Sequence, residues 1–139
     1  MASGIAVSDA CVDAYNALSK RTYSIVVFKM DDKMTEVQVE KKIPPFKDIE
    51  AEWKSFTKSL PEKDCRFVIA DFAWKDTPTV TKSKVCMLLW CPEYAPVRSK
   101  MLYASSQEAV ANKATVQRTI QATERDELAY KAIKDQVAK

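Results

Sequence analysis

The chain has 139 residues, of which 47% are hydrophobic and 29% are charged, which is typical of a single folded domain. It contains no histidine and one glycine, Gly4, which excludes histidine-based catalysis, histidine metal ligands and glycine-rich nucleotide-binding loops. Its net charge of +3 is too small to indicate nucleic-acid binding. No apolar run is long enough for a membrane span or a secretory leader. We therefore expect a protein without enzyme chemistry, cofactor or metal.

The four cysteines, Cys11, Cys65, Cys86 and Cys91, include no pair with C-x-x-C spacing. Two of them lie in or beside an apolar segment. Free, mostly buried thiols in a reducing cytosol are therefore favoured over disulfides or a zinc site.

The first 60 residues predict a short tail, a helix, two strands and a second helix. Residues 1–7 form the tail, and Ser8 is a good N-cap for a helix whose apolar side chains recur from Cys11 at helical spacing. Residues 23–28 are β-branched and aromatic, and residues 35–40 alternate between polar and apolar, so both segments predict strands. A 3-4-3-4 spacing of apolar residues between 46 and 60 predicts the second helix.

The second part of the chain predicts three further strands and two helices. Residues 66–74 and 85–90 are apolar strands, and their polar connection, residues 75–83, predicts a protruding hairpin. Two prolines precede a third helix that continues to about residue 113. A short strand within residues 115–121 and a last helix over residues 124–137 complete the chain. This order implies one domain, residues 1–139, with an α/β (α+β) fold in which helices cover both faces of a mixed sheet.

The third helix carries two apolar stripes instead of one. One sector, with Leu102, Tyr103, Ala109 and Val110, is suited to face the sheet, while Val97, Met101 and Ala104 lie roughly opposite. Arg98 and Lys100 flank that second stripe in the first helical turn, where the helix dipole disfavours positive charge. Either an acidic partner docks here with Met101 as an adaptable apolar anchor, or Met101 belongs to the periphery of the core and the cations only keep the surface soluble.

Other polar residues have simpler interpretations from the pattern alone. Lys82 and Lys84 are consistent with a solvated strand end, and Asp71, which has no acid–base partner nearby in sequence, with a structural carboxylate. Ser105 and Ser106 predict a bend in the third helix. The lysines of the last helix favour its dipole.

The segment at residues 90–106, WCPEYAPVRSKMLYASS, closely resembles the long-helix signature of the ADF/cofilin family of actin-depolymerising proteins. Residues 60–67, LPEKDCRF, resemble its central motif, and residues 3–7, SGIAV, resemble its N-terminal actin-binding tail. The resemblance implies the actin-depolymerising-factor homology fold, a mixed and mostly antiparallel five-stranded sheet sandwiched by helices, with residues 1–7 a flexible tail. It also implies a non-enzymatic, monomeric protein of the cytoplasmic actin cytoskeleton that binds actin monomers and filament sides and promotes filament disassembly.

The same resemblance implies two actin-contact surfaces. The monomer-and-filament surface comprises Ser3, Gly4, Ile5, Arg98, Lys100 and Met101. The filament-only surface comprises Lys82, Lys84, Lys134, Asp135 and Lys139, next to Gln136 where many relatives carry Arg. Ser3 occupies the family's inhibitory phosphorylation position. Relatives also bind phosphoinositides through overlapping basic residues, so an alternative function is a phosphoinositide-binding adaptor for which actin is secondary.

Overall fold

The computed structural model describes residues 6–33, 35–113, 116 and 118–137. Their strands form one six-stranded sheet in the order β1-β3-β2-β4-β5-β6. In chain order the elements are β1 (Ala6–Val7), α1 (Asp9–Ser19), β2 (Ile25–Met30), β3 (Glu36–Ile43), α2 (Ile49–Lys58), β4 (Arg66–Thr77), β5 (Val80–Trp90), α3 (Val97–Lys113), β6 (Thr119–Ala122), a 3₁₀ helix (Arg125–Leu128) and α4 (Tyr130–Val137).

The sheet is mixed, with antiparallel pairs at its centre and one parallel pair at each edge. β3, β2, β4 and β5 are antiparallel neighbours, whereas β1 pairs with β3 and β6 pairs with β5 in parallel. The predicted mixed, mostly antiparallel sheet is therefore confirmed. Its strand number is six instead of five because Ala6 and Val7, assigned from the sequence to the flexible tail, pair with Glu36 and Val37.

β4 and β5 are longer than their apolar residues indicate. Their antiparallel register continues beyond the apolar part, through Trp74 opposite Lys82 to Thr77 opposite Val80. Most of the polar segment predicted as a connection is thus strand, because backbone hydrogen bonds continue the ladder whatever the side chains are. The protruding hairpin is present, with its tip at Pro78 and Thr79.

Helices cover both faces of the sheet, as predicted. On one face, α1 and α3 enclose a core that includes Leu18, Phe28, Phe67 and Tyr103. On the other, α2, the 3₁₀ helix and α4 enclose a second core, whose large side chains are Trp53, Phe56, Phe72, Trp74, Trp90, Leu128 and Ile133.

The last predicted helix is divided in two. Ala129 has an extended backbone (φ −56°, ψ 143°) between the 3₁₀ helix and α4. The indole N–H of Trp53 donates a 2.7 Å hydrogen bond to the carbonyl oxygen of Leu128. The helix is interrupted where the Leu128 carbonyl accepts this bond from Trp53 of α2. The interruption therefore gives the buried indole N–H an acceptor. A local sequence pattern cannot reveal a contact between such distant residues.

Tyr103 fixes α3 against the sheet by a hydrogen bond and a ring contact. The hydroxyl of Tyr103 accepts a 2.8 Å hydrogen bond from the backbone N–H of Met30 in β2, and its ring lies 5.0 Å from that of Phe67 in β4. Ser99 and Ser106 are buried on the same side of the helix. Burial raises the pKa of Tyr103 to about 12. This contact sets the rotation of α3 about its axis and therefore which residues face outward.

Replacing Tyr103 with Phe should destabilise the domain by roughly 1–3 kcal/mol, because the buried N–H of Met30 loses its acceptor while the ring is kept. Chemical denaturation followed by tryptophan fluorescence would measure the free energy of unfolding. Tyr15→Phe is the matched control, since the half-buried Tyr15 forms no hydrogen bond to any described residue, and it should change stability little.

The same pair of proteins gives a second readout in alkaline solution. Because the folded-state pKa of Tyr103 is raised from 10.0 to about 12, its stabilising contribution is complete below pH 10 and is lost as the pH rises through the folded pKa. The stability difference between the wild type and Tyr103→Phe should therefore shrink above pH 10. A difference that stays constant to pH 11.5 would contradict this account.

Candidate functional site

The second apolar stripe of α3 is on the surface. Val97 and Met101 are 70% and 66% exposed, which excludes Met101 from the core and removes the alternative that it is a peripheral core residue. Three residues of the predicted inward sector face the core, since Tyr103 and Val110 are buried and Leu102 packs against the same core. The fourth, Ala109, is only half-buried.

Tyr94 extends this stripe and was not identified from the sequence. Its side chain is 76% exposed, and with Val97 and Met101 it continues the spacing i, i+3, i+7 back into the loop before α3. We call Tyr94, Val97 and Met101 the apolar strip. The helical pattern does not extend to this loop position, and a large aromatic side chain between two prolines was the signal that could have found it.

The two cations beside the apolar strip differ in their surroundings. Arg98 is exposed and forms no ion pair or hydrogen bond within the described part of the chain. Lys100 is half-buried, and its Nζ donates a 2.6 Å hydrogen bond to the carbonyl oxygen of Glu93. This bond provides a local explanation for a cation at a helix start. Of the two cations, it is the side chain of Arg98 that lacks a partner among the described residues.

The tail residues predicted for the monomer-and-filament surface, Ser3, Gly4 and Ile5, lie outside the described residues. The tail joins the domain at β1, where Ala6 and Val7 lie beside Ala109 and Lys113 near the end of α3. Arg98, Lys100 and Met101 lie in the first turns of that helix. The structure thus brings the start of the described chain to α3, but to its other end.

The hairpin residues predicted for the filament-only surface lie on the opposite face of the sheet from α3. Lys82 is directly opposite Trp74 and Lys84 opposite Phe72, and directly opposite residues of an antiparallel pair share a face. Trp74 and Phe72 belong to the core beneath α2 and α4. Lys82 also forms a 3.3 Å ion pair with Asp76, in which both side chains are about half exposed.

α4 brings its predicted residues next to this hairpin. The hydroxyl of Tyr130 donates a 3.5 Å hydrogen bond to the carbonyl oxygen of Ala73 in β4. One turn later, half-buried Lys134 lines a hollow shared with Lys75 of the hairpin, and the next two residues, Asp135 and Gln136, are exposed. Lys139 lies outside the described residues. α4 therefore places Lys134 beside Lys75 of β4, although the two residues are distant in the chain.

The cysteines and the acidic side chains are the remaining groups to consider. The four cysteines are free thiols, as predicted, with Cys91 half-buried and the others buried. Within the described ranges, no three cysteine, aspartate or glutamate side chains are grouped as metal ligands, and none of the helices there is long and apolar enough to cross a membrane. An exposed apolar strip beside an unpaired arginine is the kind of surface with which a domain binds another protein.

Comparison with known proteins identifies the class. The family described as cofilin/tropomyosin-type actin-binding protein matches residues 4–138. The chain is 42% identical to actin-depolymerizing factor 4 of Oryza sativa subsp. japonica, over 97% of this chain and 96% of that protein. It is 36% identical to actophorin of Acanthamoeba castellanii, over 99% of this chain and 97% of that protein.

Solved structures agree with this relationship. The crystal structure of Streptomyces griseoflavus cofilin is 28% identical to the chain and covers 96% of both, with a TM-score of 0.84. Actin depolymerization factor 2 of Plasmodium berghei, 22% identical over 99% of this chain and 98% of its own, shares the fold with a TM-score of 0.86. The chain therefore belongs to the ADF/cofilin family of actin-binding proteins, and the resemblance seen in the sequence is confirmed.

Proposed function

We propose that this protein binds actin monomers and the sides of actin filaments and promotes filament disassembly, acting without enzyme chemistry at the cytoplasmic actin cytoskeleton. The observation that carries the proposal is the apolar strip with Arg98 beside it, on the helix that contains the family's signature. Relatives named as actin-depolymerizing factors over nearly their whole length support it.

The contact with a monomer follows from the chemistry of this surface. Met101 and Val97 would enter an apolar cleft on actin, with Tyr94 at its rim, because burying their exposed side chains is favourable. Arg98 would pair with an acidic group of actin, to which a planar guanidinium can donate two hydrogen bonds. Lys100, already bonded to Glu93, would add positive charge close by.

Filament binding would use both faces of the domain. Among the described residues, those predicted for the monomer-and-filament surface lie on α3, and Lys82 and Lys84 lie on the opposite face of the sheet. One domain could therefore contact two neighbouring subunits. A ligand that prefers one relative orientation of those subunits shifts the filament toward it. Contacts that hold the subunits in the original twist would then weaken, and the filament would sever or lose monomers.

A second candidate function, phosphoinositide binding, is favoured by one feature. An open hollow of about 830 Å³ is lined by four lysines, Lys47, Lys54, Lys75 and Lys134, and by two carboxylates, Asp48 and Glu50. The excess of lysines leaves a positive charge that suits an anionic headgroup. Since Lys134 also belongs to the filament-only surface, such binding would compete with filaments. Pelleting with filaments and, separately, with phosphoinositide-containing vesicles at physiological salt distinguishes the two functions, and imaging of single filaments during titration tests disassembly directly.

The first functional prediction concerns the charges of α3. Arg98→Glu combined with Lys100→Glu should abolish binding to monomers and filaments, because the reversed charges repel acidic groups of the partner. Loss of the Lys100 bond to Glu93 should cost only about 1 kcal/mol of stability. Fluorescence titration of labelled actin monomer and filament pelleting provide the measurements.

A matched pair isolates the effect of position from the effect of charge. Arg98→Glu alone should weaken monomer binding at least roughly tenfold, whereas Lys58→Glu, an exposed reversal on α2 at the opposite face, should leave it unchanged. Equal binding by the two single variants would remove α3 from the interface.

The second functional prediction separates the two surfaces. Lys82→Ala with Lys84→Ala should weaken filament binding roughly three- to tenfold, as expected for a few exposed ion pairs, and spare monomer binding. Gln136→Arg should strengthen filament association by adding a bidentate donor. Lys33→Ala with Lys41→Ala, two exposed lysines elsewhere, is the control. An inert Gln136→Arg variant would mean that this position does not contact the filament.

The third functional prediction concerns regulation at Ser3. A phosphate there adds about −1.5 to −2 charges to a surface that would face acidic groups on actin. Ser3 is three residue steps from Ala6, a span of at most ~11 Å, and β1 lies at the far end of α3 from Arg98. Repulsion of actin is therefore a better explanation for inhibition than masking of Arg98.

Accordingly, Ser3→Asp should bind monomers several-fold more weakly than the wild type with an unchanged melting temperature, and Ser3→Ala should bind normally. Monomer titration and thermal unfolding of the three proteins test this. If the Asp and Ala variants bind equally well, the tail is not part of the interface.

A further inference from the structure

Two of the four cysteines lie directly opposite each other at one end of the longest strand pair. The β4–β5 register ends with Arg66 opposite Trp90. One step further along this antiparallel pair, Cys65 faces Cys91. The neighbouring pair Phe67 and Leu89 points into the core beneath α3, and Cys65 and Cys91 contribute to the same core, so both thiols are on one face.

The hydrogen-bond pattern shows which kind of cross-strand pair this is. The N–H groups of Met87 and Cys91 donate to Arg118 and Ala122 on the β6 side, so the N–H of Trp90 is directed toward β4. Arg66 and Trp90 are then a hydrogen-bonded pair, and Cys65 and Cys91 occupy the next, non-hydrogen-bonded position. At such positions the Cα atoms are about 4.5 Å apart, within the ~4.4–6.8 Å that a disulfide spans.

The two thiols are chemically unequal. Hydrogen bonding from the Cys65 thiol and the nearby charge of Lys100 lower the pKa of Cys91, while interaction with Cys91 and burial raise the pKa of Cys65. Cys91 is half-buried and Cys65 is fully buried. One partner is thus accessible and easily ionised, and the other is a protected thiol next to it, an arrangement that favours oxidation of the first and resolution by the second.

We propose that Cys65 and Cys91 form a reversible redox site that closes into an intramolecular disulfide when the protein meets hydrogen peroxide. The Cys91 thiolate attacks one peroxide oxygen, the O–O bond breaks, and the leaving oxygen takes up a proton as water, which yields a sulfenic acid. The Cys65 sulfur then attacks the Cys91 sulfur. The S–O bond breaks, and the departing hydroxide leaves as water with the Cys65 proton. Two thiols are oxidised, and one peroxide is reduced to two waters.

The other two cysteines do not belong to this site. Cys86 is buried in the core on the opposite face of the sheet, opposite Ala70, and burial raises its pKa to about 12. Cys11 lies in α1, where its thiol donates to the carbonyl oxygen of Val37. They provide matched controls, since each is a buried thiol with no cysteine opposite it.

The test treats the full chain with hydrogen peroxide under native conditions and follows it by intact-mass spectrometry and thiol titration after denaturation. The wild type should lose two of its four thiols and about 2 Da in mass, and proteolysis should give a linked peptide containing Cys65 and Cys91. Dithiothreitol should restore all of the thiols.

Single cysteine variants test whether Cys65 and Cys91 are the residues that form the disulfide. Cys91→Ala should not show the 2 Da loss, and Cys65→Ala should instead gain oxygen at Cys91, because no resolving thiol remains. Cys86→Ala and Cys11→Ala should each form the disulfide as the wild type does. Cys91 is half-buried, so Cys91→Ala keeps the test valid even if Cys65→Ala fails to fold.

Several results would overturn the proposal: retention of four thiols in the oxidised wild type, a linked peptide containing any other pair of cysteines, or a 2 Da loss that persists in Cys91→Ala. None of these measurements involves actin. A negative result would therefore contradict the redox site without contradicting the proposed function.

Discussion

The contact between Tyr103 and the centre of the sheet is the constraint on which the candidate site depends. A buried hydroxyl that accepts the N–H of Met30 satisfies a backbone donor that would otherwise be costly to bury. It also permits only one rotation of α3. With Tyr103 inward, residues about half a helical turn away must face solvent, and these include Val97, Met101 and Arg98. The exposure of the apolar strip is therefore a consequence of the hydrogen bond between Tyr103 and Met30 in the core.

The long β4–β5 hairpin is the second organising element, because each of its ends serves a different purpose. At the tip, alternating side chains put Lys82 and Lys84 on the face covered by α2 and α4. At the base, the same register sets Cys65 opposite Cys91, close enough to α3 for Lys100 to affect the Cys91 thiol. A single antiparallel register thus sets the positions of the hairpin lysines on one face of the sheet and of the two thiols on the other.

Placing helices on both faces gives a small domain two independent surfaces. Each face has its own core, so residues outside one core can change with little effect on the other. The proposed contact with two actin subunits at once would need this separation, and the sheet between the two layers provides a stiff spacer. The same fold is kept in actin depolymerization factor 2 of Plasmodium berghei, which is only 22% identical to this chain.

Local patterns in the sequence by themselves determined the class of fold, the helices and strands, and the double stripe of α3, because side-chain periodicity reports directly on which face of an element is apolar. Family membership was evident from the motifs at residues 60–67 and 90–106. The sequence did not reveal the sixth strand, the break at Ala129, the place of Tyr94 or the facing of Cys65 and Cys91. Each of these depends on a partner distant in the chain: Glu36 for Ala6, Trp53 for Leu128, the packed rotation of α3 for Tyr94, and the β4–β5 register for the thiols. Only tertiary structure decides such pairings, since hydrogen bonds and packing between distant segments leave no periodic signal in either segment alone.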